Sequence, residues 1–517
     1  MSEFQGDQNV AGTTLPEDNT VDDESPALSN LREPSYADAI IPTVTLIVLI
    51  LGAVLLFGQD ALDGPVQVAL ILSTMVVALI LLKNGYSWDE IAKSARSALS
   101  SVTTPIFILL AVGALIGTWN MSGTIPTMVY YGIHLLHPAY FYVAALAICS
   151  TVSLGIGSSW TTVGTIGVGL MGLATMVGVS PAITAGAVIS GAYVGDKISP
   201  LSETTILTAQ LAKVDIYTHI RAMLWSTVPS FLIAAVVFTI LSLREGTLIH
   251  DVDTASELHK LNQLFWIAPW NLTPLAFLLF LSYRKVPASL AILSSALLAG
   301  IMAAFLQAQA VLGVLRDSAA PVWLLYVKGI WLVMAKGYHV NTGIQEIDRL
   351  LSRGGMASML ETLWIIIGAV TFGTLLEEFK LLSKLINPLL ERAKSTGSLI
   401  AAVVATALGL NIIAADQYIA LVLPVRLYRH EFEKRGLKAQ NLSRACADAG
   451  TVTSPLVPWN SCGAFMAATL SIPTVLYLPF CIFNITAPIM SLFLGFTGFK
   501  IEHIKPAEAR AQSASGS

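Results

Sequence analysis

Long apolar runs separated by short polar segments dominate the chain from residue 38 onward. The alternation of apolar and polar residues that is typical of a transmembrane β-barrel is missing. In lipid, an α-helix forms all of its backbone hydrogen bonds within its own segment and can therefore span the membrane. We therefore predict an all-α polytopic membrane protein with about eleven to thirteen transmembrane segments. The runs of spanning length lie near 38–57, 65–83, 103–118, 139–156, 162–179, 181–194, 222–242, 265–282, 287–306, 358–376, 397–415, 417–427 and 473–495.

Several of these runs are too short or too rich in glycine, serine and threonine for ordinary spans, notably 181–194 and 417–427. Polar stretches at 196–212 and 450–470 accompany them. Discontinuous helices of this kind often line the binding sites of secondary transporters. The pattern predicts broken helices and re-entrant hairpins in both halves of the chain.

A short motif occurs twice along the chain. The segment Gly195-Asp-Lys-Ile-Ser-Pro-Leu201 parallels Gly450-Thr-Val-Thr-Ser-Pro-Leu456, which lies 255 residues later. Applied without gaps, the same offset pairs Thr161 with Asp416 and Tyr193 with Asp448. The sequence therefore predicts an internal repeat.

Basic residues are distributed in opposite ways in the two copies. Residues 97–196 contain no Lys or Arg, whereas the matching window 352–451 contains eleven. Downstream the bias reverses, since five basic residues follow the first window between positions 197 and 260, and 445–499 has none. Short basic loops stay in the cytoplasm, so we predict that the copies have inverted topology and that both termini are cytoplasmic.

These patterns divide the chain into six parts. The first 35 residues are polar and acid-rich, without the apolar core of a cleavable signal peptide. The predicted parts are a disordered acidic cytoplasmic tail (1–35), N-terminal membrane helices (36–100), a first inverted repeat (101–243), a connecting loop and helices (244–350), a second inverted repeat (351–495) and a cytoplasmic C-terminal tail (496–517).

Composition supports a membrane protein. Of the 517 residues, 55% are hydrophobic and 12% charged, about half the charge of a typical soluble protein. The net charge is −4 with no basic patch interleaved with aromatics, so the expected partners are a lipid bilayer and monovalent cations, with no nucleic acid. The four cysteines show no metal-ligand spacing, and we expect free packing thiols and no cofactor.

Two polar clusters in each half could bind a cation. Sodium, a hard ion, needs several oxygen ligands, which broken helices, hydroxyls and amides supply, while a carboxylate adds charge and binds a proton as the alternative. The candidate ion- and proton-binding residues are Asp196, Glu203, Asp416, Asp448, Ser159, Thr161, Thr162, Thr204, Asn460 and Ser461. Sodium itself is assigned to Asp196, Asp416, Thr161 and Asn460.

Each acid also has a purely structural interpretation. An ionisable group at membrane depth is costly unless it is paired or hydrated, and Asp196 could be paired with the adjacent Lys197 at a helix end. Asp448 could pair with Arg444 one turn earlier. For Glu203 and Asp416, the structural interpretation is helix capping.

At these same positions the chain resembles the NhaC family of Na+/H+ antiporters. The resemblance covers roughly residues 90–495 and implies a secondary carrier of the wider ion-transporter superfamily, with two inverted repeats, re-entrant hairpins, a homodimer and an elevator-like motion coupled to sodium or protons. Some relatives exchange malate for lactate. The matching segments are Gly157-Ser-Ser-Trp-Thr161, Gly195-Asp-Lys-Ile-Ser-Pro-Leu-Ser-Glu-Thr-Thr205, Leu350-Leu-Ser-Arg-Gly-Gly-Met356, Ala415-Asp-Gln-Tyr418 and Ser454-Pro-Leu-Val-Pro-Trp-Asn460.

The preferred hypothesis is exchange of Na+ for H+ across a bacterial cytoplasmic membrane. The alternative is coupled exchange of small organic acids or amino acids, which favours a buried arginine or a helix N-terminus facing the anion. The candidate windows offer Lys197 but no clearly buried arginine, which favours a simple cation. An intramembrane aspartyl protease is disfavoured because Tyr193-Val-Gly-Asp196 lacks the first glycine of Gly-x-Gly-Asp and no Tyr-Asp pair occurs. A rhomboid-like serine hydrolase lacks its histidine, and a passive channel does not explain titratable acids at broken helices.

Overall fold

The computed structural model describes residues 32–246, 254–315 and 320–504. Within these ranges the chain is built from helices and has no strand beyond two isolated backbone bridges. The all-α class predicted from the sequence is therefore confirmed. Most of the two predicted tails, at 1–31 and 505–517, lies outside the described residues, as does 247–253 of the predicted connecting loop.

The helices of the first half and the connection are α1 Tyr36–Phe57, α2 Pro65–Lys83, α3 Trp88–Ser101, α4 Thr103–Met121, α5 Thr124–Leu135, α6 Phe141–Ile156, α7 Ser159–Thr162, α8 Val168–Val177, α9 Pro181–Ile198, α10 Glu203–Leu211, α11 Ile216–Gly246, α12 Thr254–Leu264 and α13 Thr273–Tyr283. The remaining helices are α14 Ala288–Leu306, α15 Ala308–Gly313, α16 Val322–Lys336, α17 Gln345–Leu351, α18 Leu360–Glu378, α19 Leu381–Arg392, α20 Thr396–Ile413, α21 Gln417–Lys434, α22 Ala439–Cys446, α23 Ser461–Leu470, α24 Thr474–Tyr477 and α25 Ile482–Thr497. Two π-helical turns, Val163–Gly167 and Ala447–Thr451, join α7 to α8 and follow α22.

Nine helices in the described ranges are long and apolar enough to cross a membrane. A tenth span results if Ser461–Leu470 and Thr474–Phe480, which meet at 89°, count as one bent span. The predicted count of eleven to thirteen is higher because α9 and α21 are too polar for an ordinary span, and α13 and α25 are too short. The bent pair has the form of the predicted re-entrant hairpins.

The order and spacing of the helices repeat along the chain. Seven helices of the first half have counterparts that begin within three residues of a 255-residue offset: α4, α5, α6, α7, α9, α10 and α11 match α18, α19, α20, α21, α22, α23 and α24. α8 continues α7 along the counterpart of α21, and α25 continues α24 along the counterpart of α11. The correspondence extends to α1, α2 and α3, which match α14, α16 and α17 in the same way. The repeat thus includes helices that the sequence analysis placed outside it, while the inverted orientation of the copies stays a prediction.

Contacts between the copies are reciprocal. α10 packs against α21, and their counterparts α23 and α8 also pack together. α9 packs against α25, and the corresponding pair, α22 and α11, does the same. Reciprocal contacts of this kind are what a two-fold relation between two similar units produces. The helix breaks of both copies consequently meet in the interior.

Local backbone chemistry explains why the helices break where they do. α6 ends at Gly157 with φ 78°, and its counterpart α20 is followed by Ala415 with φ 54°. The left-handed region suits glycine but is costly for alanine, and such strain is typical of functional sites. α9 ends at Ile198 because Ser199 precedes a proline and adopts extended backbone with ψ 132°.

Candidate functional site

Four helix breaks meet at the contact between the copies, and each break starts a new helix. The N-cap residues of α7, α10, α21 and α23 are Ser158, Ser202, Asp416 and Asn460, respectively, and each accepts a backbone N–H through its side chain. These breaks also bring in the carboxyl-terminal carbonyls of α6, α9 and α20. The interior therefore brings positive helix ends, carbonyl oxygens and side-chain oxygens together.

The Asp196 carboxylate lies in the last turn of α9 and is held by hydroxyl groups. Its Oδ2 accepts a hydrogen bond from Ser159 Oγ at 2.6 Å, and its Oδ1 accepts from Ser202 Oγ at 2.8 Å and from Thr204 Oγ1 at 3.2 Å. Only 6% of the Asp196 residue is exposed. Three elements that are separate in sequence thus converge on one buried carboxylate.

Ser159 and Thr204 were predicted for the site, and the structure brings both to Asp196. Thr161 and Thr162 are also buried, but their hydroxyls bond to Ser158, at its Oγ and its carbonyl oxygen, respectively. They therefore stabilise the start of α7 and do not touch the carboxylate. Ser202 was not predicted, although a serine directly before Glu203-Thr-Thr has the form of a helix N-cap.

Lys197 does not pair with Asp196. Its ammonium group forms an ion pair with Asp448 in the π-helical turn after α22, and both side chains are fully buried. The Ser226 hydroxyl of α11 donates to Asp448 Oδ1 at 2.8 Å and accepts from Lys197 Nζ at 3.2 Å. The ion pairs suggested as structural interpretations of Asp196 and Asp448 are therefore wrong. Lys197 pairs with Asp448, and neither Asp196–Lys197 nor Asp448–Arg444 forms.

This pairing leaves Asp196 without a basic partner. In the described part of the chain no Lys, Arg or His lies within ion-pair distance of its carboxylate. Close packing of α9 on α6 positions the carboxylate, since a Cβ at Gly195 would collide with the Ser153 backbone. The Ser153 hydroxyl donates to the carbonyl oxygen of Ala192 across the same contact.

Asp416 is buried for a different reason. It is the N-cap of α21, and its Oδ1 accepts hydrogen bonds from the backbone N–H groups of Tyr418 at 2.8 Å and Ile419 at 3.0 Å. Ser461 lies next to this break, where its backbone N–H donates to the carbonyl oxygen of Ala415 at 3.0 Å. The residue is 9% exposed. Helix capping, the structural alternative for this acid, therefore operates here alongside any role in ion binding.

Asn460 lies beside Asp416 in the second copy. It caps α23, with its Oδ1 accepting from Cys462 N at 3.0 Å, and its Nδ2 donates to Asn411 Oδ1 at 3.2 Å. Asn411 in turn donates to the carbonyl oxygen of Gly450 at 2.8 Å. This amide network ties α20 to the break before α23.

One hydrogen bond at the breaks connects the two copies, and two further contacts join the breaks within the second copy. The hydroxyl of Tyr418 donates to Glu203 Oε2 at 3.2 Å, and the exposed Glu203 otherwise lies away from the Asp196 hydroxyls. Gln417 Oε1 accepts from Ser454 Oγ at 3.1 Å and from Cys462 Sγ at 2.7 Å. Gln417 and Tyr418 were not predicted, and their side-chain contacts depend on tertiary packing that no local pattern shows.

The structure changes the register of the repeat near the breaks. The gapless offset pairs Thr161 with Asp416, whereas the residues that share a role are the N-caps Ser158 and Asp416. A second pair of N-caps, Ser202 and Asn460, has the same 258-residue spacing. The segment from Gly450 to Asn460 is three residues longer than its counterpart, which explains the shift at the second pair.

Arg444 corrects a further expectation. The sequence offered no clearly buried arginine, yet Arg444 in α22 is only 2% exposed and donates from Nη1 to the carbonyl oxygen of Lys500 at 3.2 Å. Its Nε has no partner among the described residues. A buried arginine, which an organic anion favours as a partner, is therefore present in this chain.

Comparison with known families gives two matches. The profile of the Na+/H+ antiporter family matches residues 191–499. The profile of a C4-dicarboxylate anaerobic carrier family, DcuC, matches residues 16–243. The first match covers more than half of the chain and includes Asp196, Asp416 and Asp448.

Individual relatives are similar over nearly their whole length. The Na+/H+ antiporter NhaC of Alkalihalophilus pseudofirmus is 34% identical over 463 residues, which is 89% of this chain and 96% of the relative. The malate-2H+/Na+-lactate antiporter of Bacillus subtilis is 33% identical and covers 92% of this chain and 99% of its own. The arginine/ornithine antiporter ArcD of Halobacterium salinarum is 32% identical, with coverage of 93% and 96%.

Proposed function

The chain belongs to the Na+/H+ antiporter family, and from that premise we propose that it exchanges Na+ for H+ at the buried carboxylate of Asp196. It is a secondary transporter and a multi-pass membrane protein, not an enzyme. The ion and the proton compete for one site made of a carboxylate and neutral hydroxyls. That competition is the simplest physical basis of antiport, because the carrier then moves with one cargo or the other.

One observation carries this proposal. The Asp196 carboxylate is buried, receives hydrogen bonds only from neutral side chains, and has no basic partner in the described ranges. A bare negative charge at such a place costs several kcal/mol. Binding either a metal cation or a proton removes that cost, so the site favours having one of the two.

The hydroxyl groups suit both states. A hydroxyl donates one hydrogen bond and has two acceptor lone pairs. With sodium bound, the oxygens of Ser159, Ser202 and Thr204 turn their lone pairs to the ion beside the carboxylate. With a proton bound, the carboxylic acid donates to one of the same oxygens. The carbonyl oxygens of Asp196 and Lys197 at the end of α9 accept hydrogen bonds from the Thr204 and Thr205 hydroxyls, which hold the start of α10 against the site.

The remaining predicted residues take supporting roles in this scheme. We expect Asp416 to add negative charge near the path of the ion, and Asn460 to hold the second copy's break in place. Thr161 and Thr162 maintain the start of α7, which carries Ser159. Glu203, exposed at the start of α10, would attract cations at the approach to the site.

The location and assembly are part of the proposal. We place the protein in the bacterial cytoplasmic membrane, with both termini in the cytoplasm and the copies inverted, as the distribution of basic residues predicts. We expect a homodimer in the bilayer and no cofactor beyond the transported ions. Mass measurement of the protein in lipid nanodiscs tests the dimer.

The proposal is tested by transport in liposomes containing only the purified protein. A pH-sensitive dye inside the vesicles reports proton movement when Na+, Li+, K+ or a small carboxylate is added outside. We expect Na+ to drive saturable proton efflux in the absence of any organic substrate. Proton movement that requires a carboxylate and ignores Na+ would contradict the proposal.

The alternative keeps one specific observation in its favour. The buried Arg444 supplies a cationic group of the type that an organic anion requires. Two relatives are named as antiporters of organic acids or amino acids. Coupled exchange of such substrates is therefore the second candidate function. Labelled malate, lactate, arginine and ornithine in the same vesicles distinguish it, since only the alternative requires their uptake.

A further inference from the structure

A cavity of about 260 Å3 lies away from the Asp196 site, between α4, α8, the loop before α18 and the end of α23. Its polar lining comes from Arg353, Ser352 and Ser358 around the loop before α18, and from Thr469 and Ser471 at the end of α23. At about 30 Å3 for each water molecule, it has room for roughly nine waters or for one small organic molecule.

Arg353 is the only charged residue of this lining. Among the acids whose side chains the structure describes, which excludes Glu257 and Glu346, none lies within ion-pair distance of its guanidinium. The group is half-buried. Burial lowers the pKa of the Arg353 guanidinium, and the neighbouring Arg349 lowers it further. A buried cation of this kind is stabilised by an anion that supplies the missing charge.

Thr469 is a second and independent sign of a ligand. It lies in the last turn of α23, is 2% exposed, and lines the cavity. Its hydroxyl oxygen makes no hydrogen bond to any described residue. Buried polar atoms without partners are rare and usually mark an absent water or ligand. Arg353 and Thr469 thus both line one cavity, and neither side chain has a hydrogen-bond partner among the described residues.

The backbone around Arg353 is held firmly. Gly354 and Gly355 both have φ 87°, which other residues rarely adopt, and Gly355 N donates to Gly113 O of α4 at 2.6 Å. A Cβ on Gly354 would collide with the backbone of Gly117. The glycine pair therefore fixes the loop flat against α4 and aims the arginine without a flexible backbone.

We propose that this cavity is a binding subsite for a small carboxylate anion, with Arg353 as its bidentate partner and Thr469 as an additional donor. The planar guanidinium fork fits the two oxygens of a carboxylate better than it fits a spherical halide. The volume limits the ligand to a small organic acid.

Two helical segments connect the helix breaks with the cavity. α23 begins at the helix break beside Asp416 and ends at the cavity, ten residues later, which is about 15 Å at 1.5 Å per residue. The stretch from α7 to α8 likewise runs from Ser159 to the cavity lining at Val168 and Met171. A carboxylate bound here would lie at the far end of two helices that start at the ion site.

The test is direct binding of L-malate and L-lactate to the purified protein, measured by calorimetry in detergent at fixed ionic strength. We expect saturable binding to the unchanged protein and at least a tenfold weaker affinity in Arg353→Gln, as for the loss of a charged hydrogen-bonding partner. Arg353→Lys keeps the charge without the fork and should give an intermediate affinity. Thr469→Val should weaken binding several-fold.

The matched control is Arg349→Gln, which removes an exposed arginine four residues earlier and should change the affinity by no more than about twofold. Absence of saturable binding to the unchanged protein would overturn the proposal, and so would equal affinity in Arg353→Gln or competition by chloride as strong as by malate. If Arg353→Gln does not fold, Arg353→Lys and Thr469→Val decide the question. The measurement contains no sodium gradient, so its outcome is independent of Na+/H+ exchange.

Discussion

The two copies place a buried carboxylate at a helix break, yet they hold it with different donors. Asp196 in the first copy is 6% exposed and receives hydrogen bonds from Ser159, Ser202 and Thr204. Asp416 in the second copy is 9% exposed and receives two bonds from backbone amides of α21. Depth in the protein is therefore similar, and the chemistry of the partners is not.

The different hydrogen-bond donors suit Asp196 and Asp416 to different roles. Backbone amides donate only, and at a helix N-terminus they favour the ionised carboxylate. Hydroxyls can donate to the anion, accept from the acid or offer lone pairs to a cation. The Asp196 environment therefore tolerates a change of cargo, whereas Oδ1 of Asp416 has a permanent structural task. Burial alone would have ranked the two acids as equal.

The strongest test of this comparison is Asp196→Asn. The amide keeps the shape but neither carries charge nor takes up a proton, so we expect Na+-driven proton movement in proteoliposomes to fall to the level of protein-free vesicles. Asp215→Asn is the matched control, because Asp215 is an exposed acid that bonds Thr218 at the start of α11. Its activity should match the unchanged protein. Sodium-driven proton movement at normal rates in Asp196→Asn would remove the role assigned to this acid.

The relation of the copies has its own test, with an all-or-none readout. All four native cysteines are buried, so single cysteines at the exposed Pro181 and Lys434 can be labelled in intact cells with little background. Inversion predicts that Pro181→Cys, beside the 172–180 segment, reacts with an impermeant reagent from outside. Lys434→Cys should react only after the cells are opened. Labelling of both from the same side would refute the inverted arrangement.

A smaller effect is expected at the ion pair that joins the copies. Lys197→Met leaves Asp448 buried and without its cationic partner, which costs about 3–5 kcal/mol. We expect a lower unfolding temperature in detergent, and recovery of much of the loss in Lys197→Met/Asp448→Asn. Removal of Arg429, a partly exposed residue that pairs with the exposed Glu433 one turn away, should cost under about 1 kcal/mol. Equal stability of Lys197→Met and the unchanged protein would show that the pair is not a structural link.

The sequence predicted the helical class and the repeat because both depend on local patterns. Apolar runs, glycine and proline breaks, and the recurrent Ser-Pro-Leu are visible residue by residue. Asp196 could be selected because an acid at the end of a long uncharged window is unusual. Its hydroxyl partners Ser159 and Thr204 lie in polar clusters that the same pattern marks.

Contacts across the copies could not be predicted in this way. Lys197 and Asp448 meet although they are 251 residues apart, and each has a closer charged neighbour in sequence that it does not use. Helical spacing informs only about partners within one or two turns. The arrangement of Gln417 between Ser454 and Cys462 lies within the second copy, but it too could not be predicted, since it requires two separate helix breaks to face each other.

Substitutions of Asp416 are expected to have the smallest effect on exchange, and they distinguish a role in ion binding from a role in helix capping. Asn and Ser cap helices about as well as Asp, so Asp416→Asn and Asp416→Ser remove the charge while α21 keeps its N-cap. Asp416→Ser also copies the residue that caps α7 in the first copy.

We expect both variants to fold and to exchange ions, with the sodium concentration for half-maximal rate raised roughly threefold to tenfold, because a nearby charge outside the ligand set is lost. Asp416→Ala, which also loses the cap, should in addition be less stable by about 1 kcal/mol. Rates as a function of sodium, with thermal unfolding of the same samples, separate the two contributions. Complete loss of exchange in Asp416→Asn would make the two acids equivalent, and an unchanged sodium dependence would leave Asp416 with helix capping alone. We assign Asp196 to the binding of the cargo and Asp416 mainly to the capping of α21. Because the two acids are similarly buried but have different hydrogen-bond donors, we expect an intermediate increase in the sodium concentration for half-maximal rate in Asp416→Asn.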